Sequence, residues 1–266
     1  MQDKFNRHIN YLRISVTDKC NLRCVYCMPE EGIKLLKHSD ILNLEEIYEF
    51  TKIAVHHGIN KVRITGGEPL VRRNILSLIT LLSQIKELAD LSMTTNALLL
   101  DEYADSLSEA GLKRVNISLD TMDPVRFRNI TRGGDIFKVL NGIKAAKKAG
   151  LTPIKINCVV SAASNEPDAL SVKAFCEKEE LEIRFIHQMN LRTGKFSVVE
   201  GGTGGDCRIC NKLRLTSDGY LRPCLFNDLK YNIRELGAQN AIKMALDTKP
   251  ECGTYNRQNQ FNEIGG

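Results

Sequence analysis

The chain contains 266 residues, of which 42% are hydrophobic and 26% are charged, a composition that is typical of a globular protein. Its 37 basic and 32 acidic residues give a net charge of +5 without a run of five like charges, so the sequence offers little support for nucleic-acid binding. No apolar run approaches the roughly 18 residues that a membrane-spanning helix needs, and residues 1–11 are too polar for a secretory signal. We therefore expect a cytoplasmic protein whose partners include neither a membrane nor a nucleic acid.

Strand-like and helix-like stretches alternate along the chain up to about residue 187. The predicted strands span residues 11–16, 61–65, 91–95, 114–119, 154–160 and 181–186. The predicted helices span residues 44–57, 74–89, 101–111, 136–149 and 167–179, and a further short helix opens at Asp123-Pro124. Asn43, with Glu46 three residues later, forms a capping-box pattern at the first helix, and Asp101 is expected to cap the third.

Six strands that alternate with helices indicate parallel βα units. We therefore predict an α/β fold in which residues 1–189 form an incomplete (β/α)6 barrel that is open on one side. A complete eight-stranded barrel is the alternative, although the repeating pattern ends near residue 187. The composition then changes, because residues 201–205 are rich in glycine and residues 213–222 have the pattern of a hairpin. Residues 190–266 are accordingly predicted to form a small C-terminal domain.

Nine cysteines, an odd number in a chain that is expected to be cytoplasmic, argue against a disulfide framework. Cys20, Cys24 and Cys27 follow the first predicted strand, at the end of a barrel where loops carry function. Three thiolates in a C-x3-C-x2-C loop can hold three irons of a [4Fe–4S] cluster and leave the fourth iron without a protein ligand. A structural zinc site is the alternative, but zinc usually takes four ligands in two close pairs.

Cys207, Cys210 and Cys224 form a second group with C-x2-C-x13-C spacing. They predict a second iron–sulfur cluster in the C-terminal domain, again with one open iron. A structural site with four ligands, in which Cys252 is the fourth, remains an alternative. Cys158 lies in a predicted apolar strand and is interpreted as a small buried hydrophobic residue.

The first cysteine loop, with Tyr26 before its last cysteine, resembles the signature of the radical S-adenosylmethionine (SAM) superfamily. The segment Gly66-Gly67-Glu68-Pro69 resembles the motif with which that superfamily binds the amino group of SAM. The resemblance implies that SAM chelates the open iron and that one electron from the cluster releases a 5′-deoxyadenosyl radical. The residues that it implies for the SAM site are Tyr26, Gly67, Glu68, Ser118 and Met189. In such a site glycine permits a close approach of the backbone, and a glutamate can bind an ammonium group.

Over nearly its full length the chain resembles the GTP 3′,8-cyclases, the radical SAM lyases of molybdenum cofactor biosynthesis. The resemblance is carried by residues 13–20, 62–73, 94–96, 116–120, 182–186, 210–216 and 264–266. It implies conversion of GTP to 3′,8-cyclo-7,8-dihydro-GTP with two [4Fe–4S] clusters and SAM as cofactors. An electron donor such as flavodoxin or ferredoxin and a homodimeric state are implied as well.

The resemblance also implies which residues meet the substrate. Those implied for the GTP triphosphate are Arg13, Lys61, Arg63, Thr94 and Lys155, and those implied for the guanine end are Lys212 and Arg214. Arginine offers two parallel hydrogen bonds to phosphate oxygens and lysine a point charge, which suits a triphosphate. In this family a diglycine tail reaches into the active site, so Gly265 and Gly266 are counted as catalytic together with Lys212 and Arg214.

The chain departs from the family pattern in its length and at single positions. Classical cyclases carry several dozen more residues between the positions of Met189 and Cys207, and they usually have Arg where Lys212 stands and Gly where Ala97 stands. A two-cluster radical SAM enzyme with another substrate, such as a peptide-modifying maturase, is therefore kept as the alternative function. A non-catalytic iron–sulfur or zinc scaffold is the third possibility, but a scaffold has no need of Gly66-Gly67-Glu68-Pro69.

Overall fold

A computed structural model describes residues 1–257 and 261–264 of the chain. Its strands are β1 (Tyr11–Ser15), β2 (Lys61–Thr65), β3 (Asp90–Thr95), β4 (Arg114–Ser118), β5 (Lys155–Val160), β6 (Glu182–His187), β7 (Lys212–Leu215), β8 (Tyr220–Arg222) and β9 (Tyr231–Asn232). Its α-helices are α1 (Leu44–His56), α2 (Ile75–Ser83), α3 (Leu100–Glu109), α4 (Pro124–Thr131), α5 (Ile136–Lys148), α6 (Pro167–Lys178), α7 (Ile233–Leu236), α8 (Ala238–Asp247) and α9 (Phe261–Ile264). None of the helices within these described ranges is long and apolar enough to cross a membrane.

The strands form one open sheet in the order β6-β5-β4-β3-β2-β1-β7-β8-β9. Strands β1 to β6 are parallel neighbours in chain order, and this confirms the predicted six βα units of an incomplete barrel. The sheet does not close into the alternative eight-stranded barrel, because β6 and β9 are its two edges in the described part of the chain. The loops that follow parallel strands therefore gather at one end of the sheet.

The C-terminal segment continues this sheet instead of starting another. Strand β7 pairs in parallel with β1, so that Arg214 lies opposite Arg13. The predicted hairpin is confirmed, because β7 and β8 are antiparallel and Leu215 lies opposite Leu221. Leu213, Leu215 and Leu221 also belong to the main hydrophobic core. The boundary placed at residue 189 stays a prediction, since both sides of it share one sheet and one core.

Local signals explain where several helices begin. Asn43 Oδ1 accepts a hydrogen bond from Glu46 N at 2.8 Å and Glu46 Oε2 accepts one from Asn43 N at 2.8 Å, which confirms the capping box of α1. The Asp123 side chain caps α4 by accepting hydrogen bonds from Val125 N and Arg126 N, and Pro124 lies in the first turn of this helix. The prediction for Asp101 was wrong: α3 begins one residue earlier, so Asp101 lies inside its first turn, and Leu99 precedes the helix without a side-chain cap.

Along each parallel strand, successive side chains point alternately into the hydrophobic core and toward the concave face of the sheet. In β5, Ile156, Cys158 and Val160 are buried in the hydrophobic core, as predicted for Cys158. The residues between them, such as Asn157 and Val159, line a cavity on the other face. The concave face of the partial barrel therefore presents both polar and apolar side chains to the cavity.

Candidate functional site

A cavity of about 540 Å³ occupies the concave face, within the size range of small-molecule sites. Both cysteine groups lie on its wall: Cys20, Cys24 and Cys27 of the first, and Cys207, Cys210 and Cys224 of the second. The wall also contains the predicted SAM-site residues Tyr26, Gly67, Glu68, Ser118 and Met189 and the predicted substrate residues Arg13, Lys61, Arg63, Thr94, Lys212 and Arg214. Residues that are nearly 200 positions apart in the sequence thus line one cavity.

The first cysteine group lies on the loop that leaves β1. Cys24 O accepts hydrogen bonds from Cys27 N at 2.9 Å and Met28 N at 3.0 Å, so residues 24–28 form a tight turn that carries Cys24 and Cys27. Burial raises the pKa of the Cys20 thiol to about 11 and that of Cys24 to about 12. These thiols are therefore neutral in the free chain and become thiolates when iron binds, which couples cluster binding to proton release.

The Gly66-Gly67-Glu68-Pro69 segment packs directly against the cysteine loop. Gly67 N donates to Thr17 O at 2.8 Å, and Glu68 N donates to Lys19 O at 2.8 Å. A Cβ atom at Gly67 would lie only 2.3 Å from Lys19 O, so no residue other than glycine fits against this backbone. The contact fixes the end of β2 relative to the cluster loop.

Glu68 is almost fully buried, with 1% of its surface exposed. Its carboxylate accepts hydrogen bonds from Thr95 Oγ1 at 2.7 Å, Asn96 N at 2.7 Å and Leu70 N at 3.1 Å. Burial raises the pKa of Glu68 to about 7, although these three hydrogen bonds act to lower it. The arrangement holds a carboxylate on the cavity wall in one orientation, next to the cysteine loop.

Tyr26 is held by Asp120, a residue to which sequence reasoning assigned no individual role. The Tyr26 hydroxyl donates to Asp120 Oδ2 at 2.7 Å, and Asp120 Oδ1 accepts from Val159 N at 2.8 Å. Burial raises the pKa of Asp120 to about 6. The aspartate therefore ties the cysteine loop to the ends of β4 and β5. Its position at the end of the Asn116–Asp120 segment was the signal that pointed to it.

Cations line the part of the cavity that is built from the strands themselves. Arg13, Lys61 and Arg63 lie there as predicted, and Arg114 and Arg184 join them without having been predicted. Arg114 Nε donates to Asp90 Oδ1 at 3.0 Å, so the positive charge of Arg114 and the negative charge of Asp90 neutralise each other. Burial lowers the pKa of Arg63, which shows how unfavourable its charge is without a counter-ion. The alternation of charged and apolar residues in β6 was the signal that could have identified Arg184.

Several polar atoms in this region are buried and have no hydrogen-bond partner among the described residues. They are the Nε atoms of Arg63 and Arg184, Arg114 Nη1, Thr94 Oγ1 and the Tyr11 hydroxyl. Buried polar groups in proteins are nearly always paired, and these five residues all border the cavity. Because three of the five atoms are guanidinium nitrogens, the group suits an anionic ligand such as a polyphosphate.

Lys155 does not follow the prediction. It is absent from the cavity wall, and its ammonium group forms an ion pair with Glu182, which lies opposite it on the neighbouring strand. The sequence pattern could not reveal this pairing, because the register of β5 and β6 decides it. A phosphate-binding role for Lys155 stays a prediction that the geometry does not support.

Lys212 and Arg214 lie on β7, beside the second cysteine group. Their register with β1 puts Lys212 opposite Tyr11 and Arg214 opposite Arg13. Burial lowers the pKa of Lys212 to about 8, and the charges of Arg214 and Arg13 act in the same direction. The cavity thus carries a dense positive charge at the seam between β1 and β7.

Two buried cations that sequence reasoning missed hold the backbone around the second cysteine group. Arg7 Nη1 donates to Cys207 O and to Glu251 O, at 2.7 Å each. Lys249 Nζ donates to Lys212 O at 2.7 Å and to Pro223 O at 2.5 Å. Because both bind carbonyl groups far away in the sequence, no local motif marks them. They fix the segments that carry the three cysteines of this group.

Cys252 approaches the second group from outside the cavity. Its Sγ atom lies 3.1 Å from the Sγ atom of Cys207. Among residues 1–257 and 261–264, no three His, Cys, Asp or Glu side chains are grouped as the ligands of a single metal ion. A cubane cluster does not need such a group, since each thiolate binds a different iron. The lack of such a group among the described residues therefore does not argue against a cluster at either cysteine group.

The C-terminal helix α9 reaches the same region. Phe261 lines the cavity, and Ile264 is buried against Leu191, Leu225 and Phe226. Gly265 and Gly266, which were predicted to enter the active site, lie outside the described residues. Their role stays a prediction.

Comparison with known proteins supports this picture. Residues 14–172 match the model of the radical SAM superfamily. A GTP 3′,8-cyclase of Peptoclostridium acidaminophilum is 41% identical over 99% of this chain and 98% of its own length. Those of Moorella thermoacetica and Petrotoga mobilis are 44% and 38% identical, over 88% and 100% of this chain and 86% and 100% of their own lengths. The last alignment spans 323 positions against 266 residues here, so at least 57 of its positions have no counterpart in this chain.

Solved structures show the same fold at low sequence identity. Streptococcus suis SuiB bound to the precursor peptide SuiA matches with a TM-score of 0.67 and 18% identity, over 91% of this chain and 66% of that one. Methylornithine synthase matches with a TM-score of 0.56 and 17% identity, over 69% of this chain and 54% of that one. Membership of the superfamily implies a [4Fe–4S] cluster and SAM. The chain therefore belongs to the radical SAM superfamily and, within it, to the GTP 3′,8-cyclase family.

Proposed function

We propose that this protein converts GTP to 3′,8-cyclo-7,8-dihydro-GTP, an early step of molybdenum cofactor biosynthesis. The observation that carries the proposal is the single cavity that joins two cysteine groups through a wall of buried cations. A nucleoside triphosphate has an anionic end and a neutral purine end, and the cavity offers a distinct environment to each. The 41% identity to a GTP 3′,8-cyclase supports the same substrate.

Each cysteine group holds a [4Fe–4S] cluster in this proposal. Cys20, Cys24 and Cys27 hold the cluster whose open iron takes SAM, and Cys207, Cys210 and Cys224 hold a second one whose open iron faces the guanine. When bound, the first cluster and SAM supply the 5′-deoxyadenosyl radical that removes the ribose 3′ hydrogen before the bond to C8 forms. Glu68 and Gly67 orient the SAM amino group, while the Tyr26–Asp120 hydrogen bond fixes the cysteine loop around it.

The triphosphate is bound by Arg13, Lys61, Arg63 and Thr94, with Arg184 as an added donor. Its negative charge compensates the burial of these cations, because their Coulomb interaction with phosphate is strong in a site that excludes water. Lys212 and Arg214 then hold the purine end near the second cluster, and Gly265 and Gly266 complete this end of the site. Bound in this way, the ribose would lie between the two cysteine groups, both of which line the cavity.

An electron donor of the flavodoxin or ferredoxin type and a homodimeric state belong to the same proposal. A peptide-modifying activity, the alternative function, is less well supported. The peptide-bound SuiB structure is 18% identical and establishes only the common fold. The buried, unpaired guanidinium nitrogens of Arg63 and Arg184 require an anion, which an ordinary peptide backbone does not provide.

The substrate is tested by isotope transfer. Anoxic, reconstituted protein is incubated with SAM, dithionite and GTP that carries deuterium at the ribose 3′ position. We expect deuterium in the 5′-deoxyadenosine and formation of the cyclised nucleotide, both measured by mass spectrometry. Formation of unlabelled 5′-deoxyadenosine without a cyclised product would mean that the radical is made but GTP is not its target.

Replacement of Arg214 by alanine is expected to uncouple the cleavage of SAM from the cyclisation of GTP. The side chain lies close to Cys210 and Cys224 of the second cysteine group, and it is not one of the predicted SAM-site residues, so SAM cleavage should continue while cyclisation falls at least about a hundredfold. The ratio of cyclised product to 5′-deoxyadenosine measures this uncoupling. An equal loss of both activities would show that Arg214 supports the fold instead of the substrate.

SAM binding is expected to release a proton near pH 7. The pKa of Glu68 is raised to about 7 by burial, so about half of the carboxyl groups are protonated at pH 7 in the SAM-free protein. The amino group of SAM, which is a neutral amine when it coordinates iron, donates an N–H hydrogen bond to the carboxylate and lowers this pKa, so the proton leaves. Calorimetry in two buffers of different ionisation enthalpy measures the release, to which the SAM amine adds the proton that it loses on coordination. The release should be smaller above about pH 8 and in Glu68→Gln, and an unchanged release in that variant would assign the proton to another group.

A further inference from the structure

Cys252 is a fourth thiol beside the second cysteine group. Its Sγ atom lies 3.1 Å from Cys207 Sγ. Unlike Cys207, Cys210 and Cys224, it is exposed to solvent and does not line the cavity. A protein with a three-cysteine cluster site has no evident need for another thiol in contact with one of its ligands.

Hydrogen bonds from the buried Arg7 side chain hold the segments of Cys207 and Cys252 close together. One nitrogen of Arg7, Nη1, donates to the carbonyl of Cys207 and to that of Glu251, the residue before Cys252, at 2.7 Å each. The other, Nη2, donates to Pro250 O at 2.6 Å. Asp3 holds the guanidinium in place through Nε at 2.7 Å, and the Arg7 side chain is only 6% exposed. The two cysteines therefore come from segments that one rigid, planar group binds together.

The geometry assigns Cys252 to one corner of the second cluster. Two thiols in contact can reach the same iron atom, whereas thiolates on different irons are separated by an edge of the cubane. Cys252 lies next to Cys207 on the solvent side, while Gly253 passes along the cavity near Cys224. Cys252 thus contacts Cys207 from a position that is exposed to solvent and is not part of the cavity wall.

We propose that Cys252 is an interchangeable ligand for the iron that Cys207 holds, so that either thiolate completes the second cluster. The proposal rests on the proposed function, which places a cluster at this site. In the exchange, the Cys252 thiol gives its proton to solvent and forms an iron–sulfur bond, while Cys207 leaves the iron and takes up a proton. No electron is transferred, and the cavity-facing iron stays open for the purine. The site therefore keeps its cluster when the Cys207 thiol is lost to oxidation or alkylation.

The test is to measure how many iron and sulfide ions each full-length chain binds after anoxic reconstitution. The wild-type protein, Cys252→Ala and Cys207→Ala are each expected to hold about eight irons, as two cubanes, and the double variant about four. Cys210→Ala is the matched control, since no spare thiol contacts Cys210 within the described part of the chain, and it should also hold about four. Cys207→Ser repeats the measurement with a side chain that keeps the size of cysteine.

A second measurement follows the Cys252 thiol itself. With the cluster in place, iodoacetamide should label Cys252 quickly in the wild-type protein and slowly in Cys207→Ala, where the thiolate is bound to iron. Four irons in Cys207→Ala and Cys207→Ser, or rapid labelling of Cys252 in them, would overturn the proposal. Four irons in Cys252→Ala would overturn it too, because Cys252 would then be indispensable. About four irons in the wild-type protein would instead contradict the second cluster and with it the proposed function.

Discussion

Cys24→Ala is expected to abolish the cleavage of SAM and to lower the iron content from about eight to about four per chain. A cubane that has only three protein thiolates loses one of its anchored irons when one thiol is removed. The turn around Cys24 depends on its carbonyl, which accepts hydrogen bonds from Cys27 N and Met28 N, and not on its side chain. The substitution therefore removes a ligand while the loop keeps its shape. Iron analysis and the yield of 5′-deoxyadenosine measure the two effects.

Cys176→Ala is the matched control for this loss. Cys176 is buried in the hydrophobic core, on α6 and away from the cavity wall, so its thiol serves packing alone. We expect a small loss of stability, on the order of 1 kcal/mol, with full iron content and full SAM cleavage. If Cys24→Ala kept about eight irons, the first cluster would have to be held by other residues, and the radical mechanism would lose its basis.

The parts of this site that the sequence predicted are those in which function depends on a short segment. The spacing of Cys20, Cys24 and Cys27 is sufficient to indicate a cluster, because all three thiols lie within eight consecutive residues of one loop. The capping box of Asn43 and Glu46 likewise lies within four residues and defines a helix start by itself. Such signals need no knowledge of the tertiary fold.

The unpredicted parts depend on contacts between distant segments. Arg7 and Lys249 bind main-chain carbonyl groups, which any residue can offer, so nothing in the sequence marks their partners. The pairing of β7 with β1 joins segments about 200 residues apart, and it alone explains why Arg13 and Arg214 face each other. Lys155 shows the converse. Its residue type suits phosphate, but a register that places Glu182 opposite it provides another partner.

Gly67→Ala is expected to lower SAM cleavage at least about a hundredfold although only one methyl group is added. The new Cβ atom would lie 2.3 Å from Lys19 O, 2.6 Å from Lys19 C and 2.8 Å from Asp18 O. All three are backbone atoms of the segment that leads into Cys20, so no side-chain rotation can relieve the overlap. The cysteine loop has to move away from the end of β2, and SAM then loses the alignment between the open iron and Glu68.

The matched control separates this overlap from the general cost of replacing a glycine. Gly150 has a φ of +75°, and a Cβ atom added there would have no neighbour within 4 Å, so Gly150→Ala strains the backbone without a clash. We expect it to cost about 1 kcal/mol of folding free energy and to leave SAM cleavage unchanged. Gly67→Ala should keep its first cluster, measured by iron content, and should bind SAM weakly, measured by calorimetry. Normal SAM affinity in this variant would show that the contact between the two loops is not what orients the cofactor.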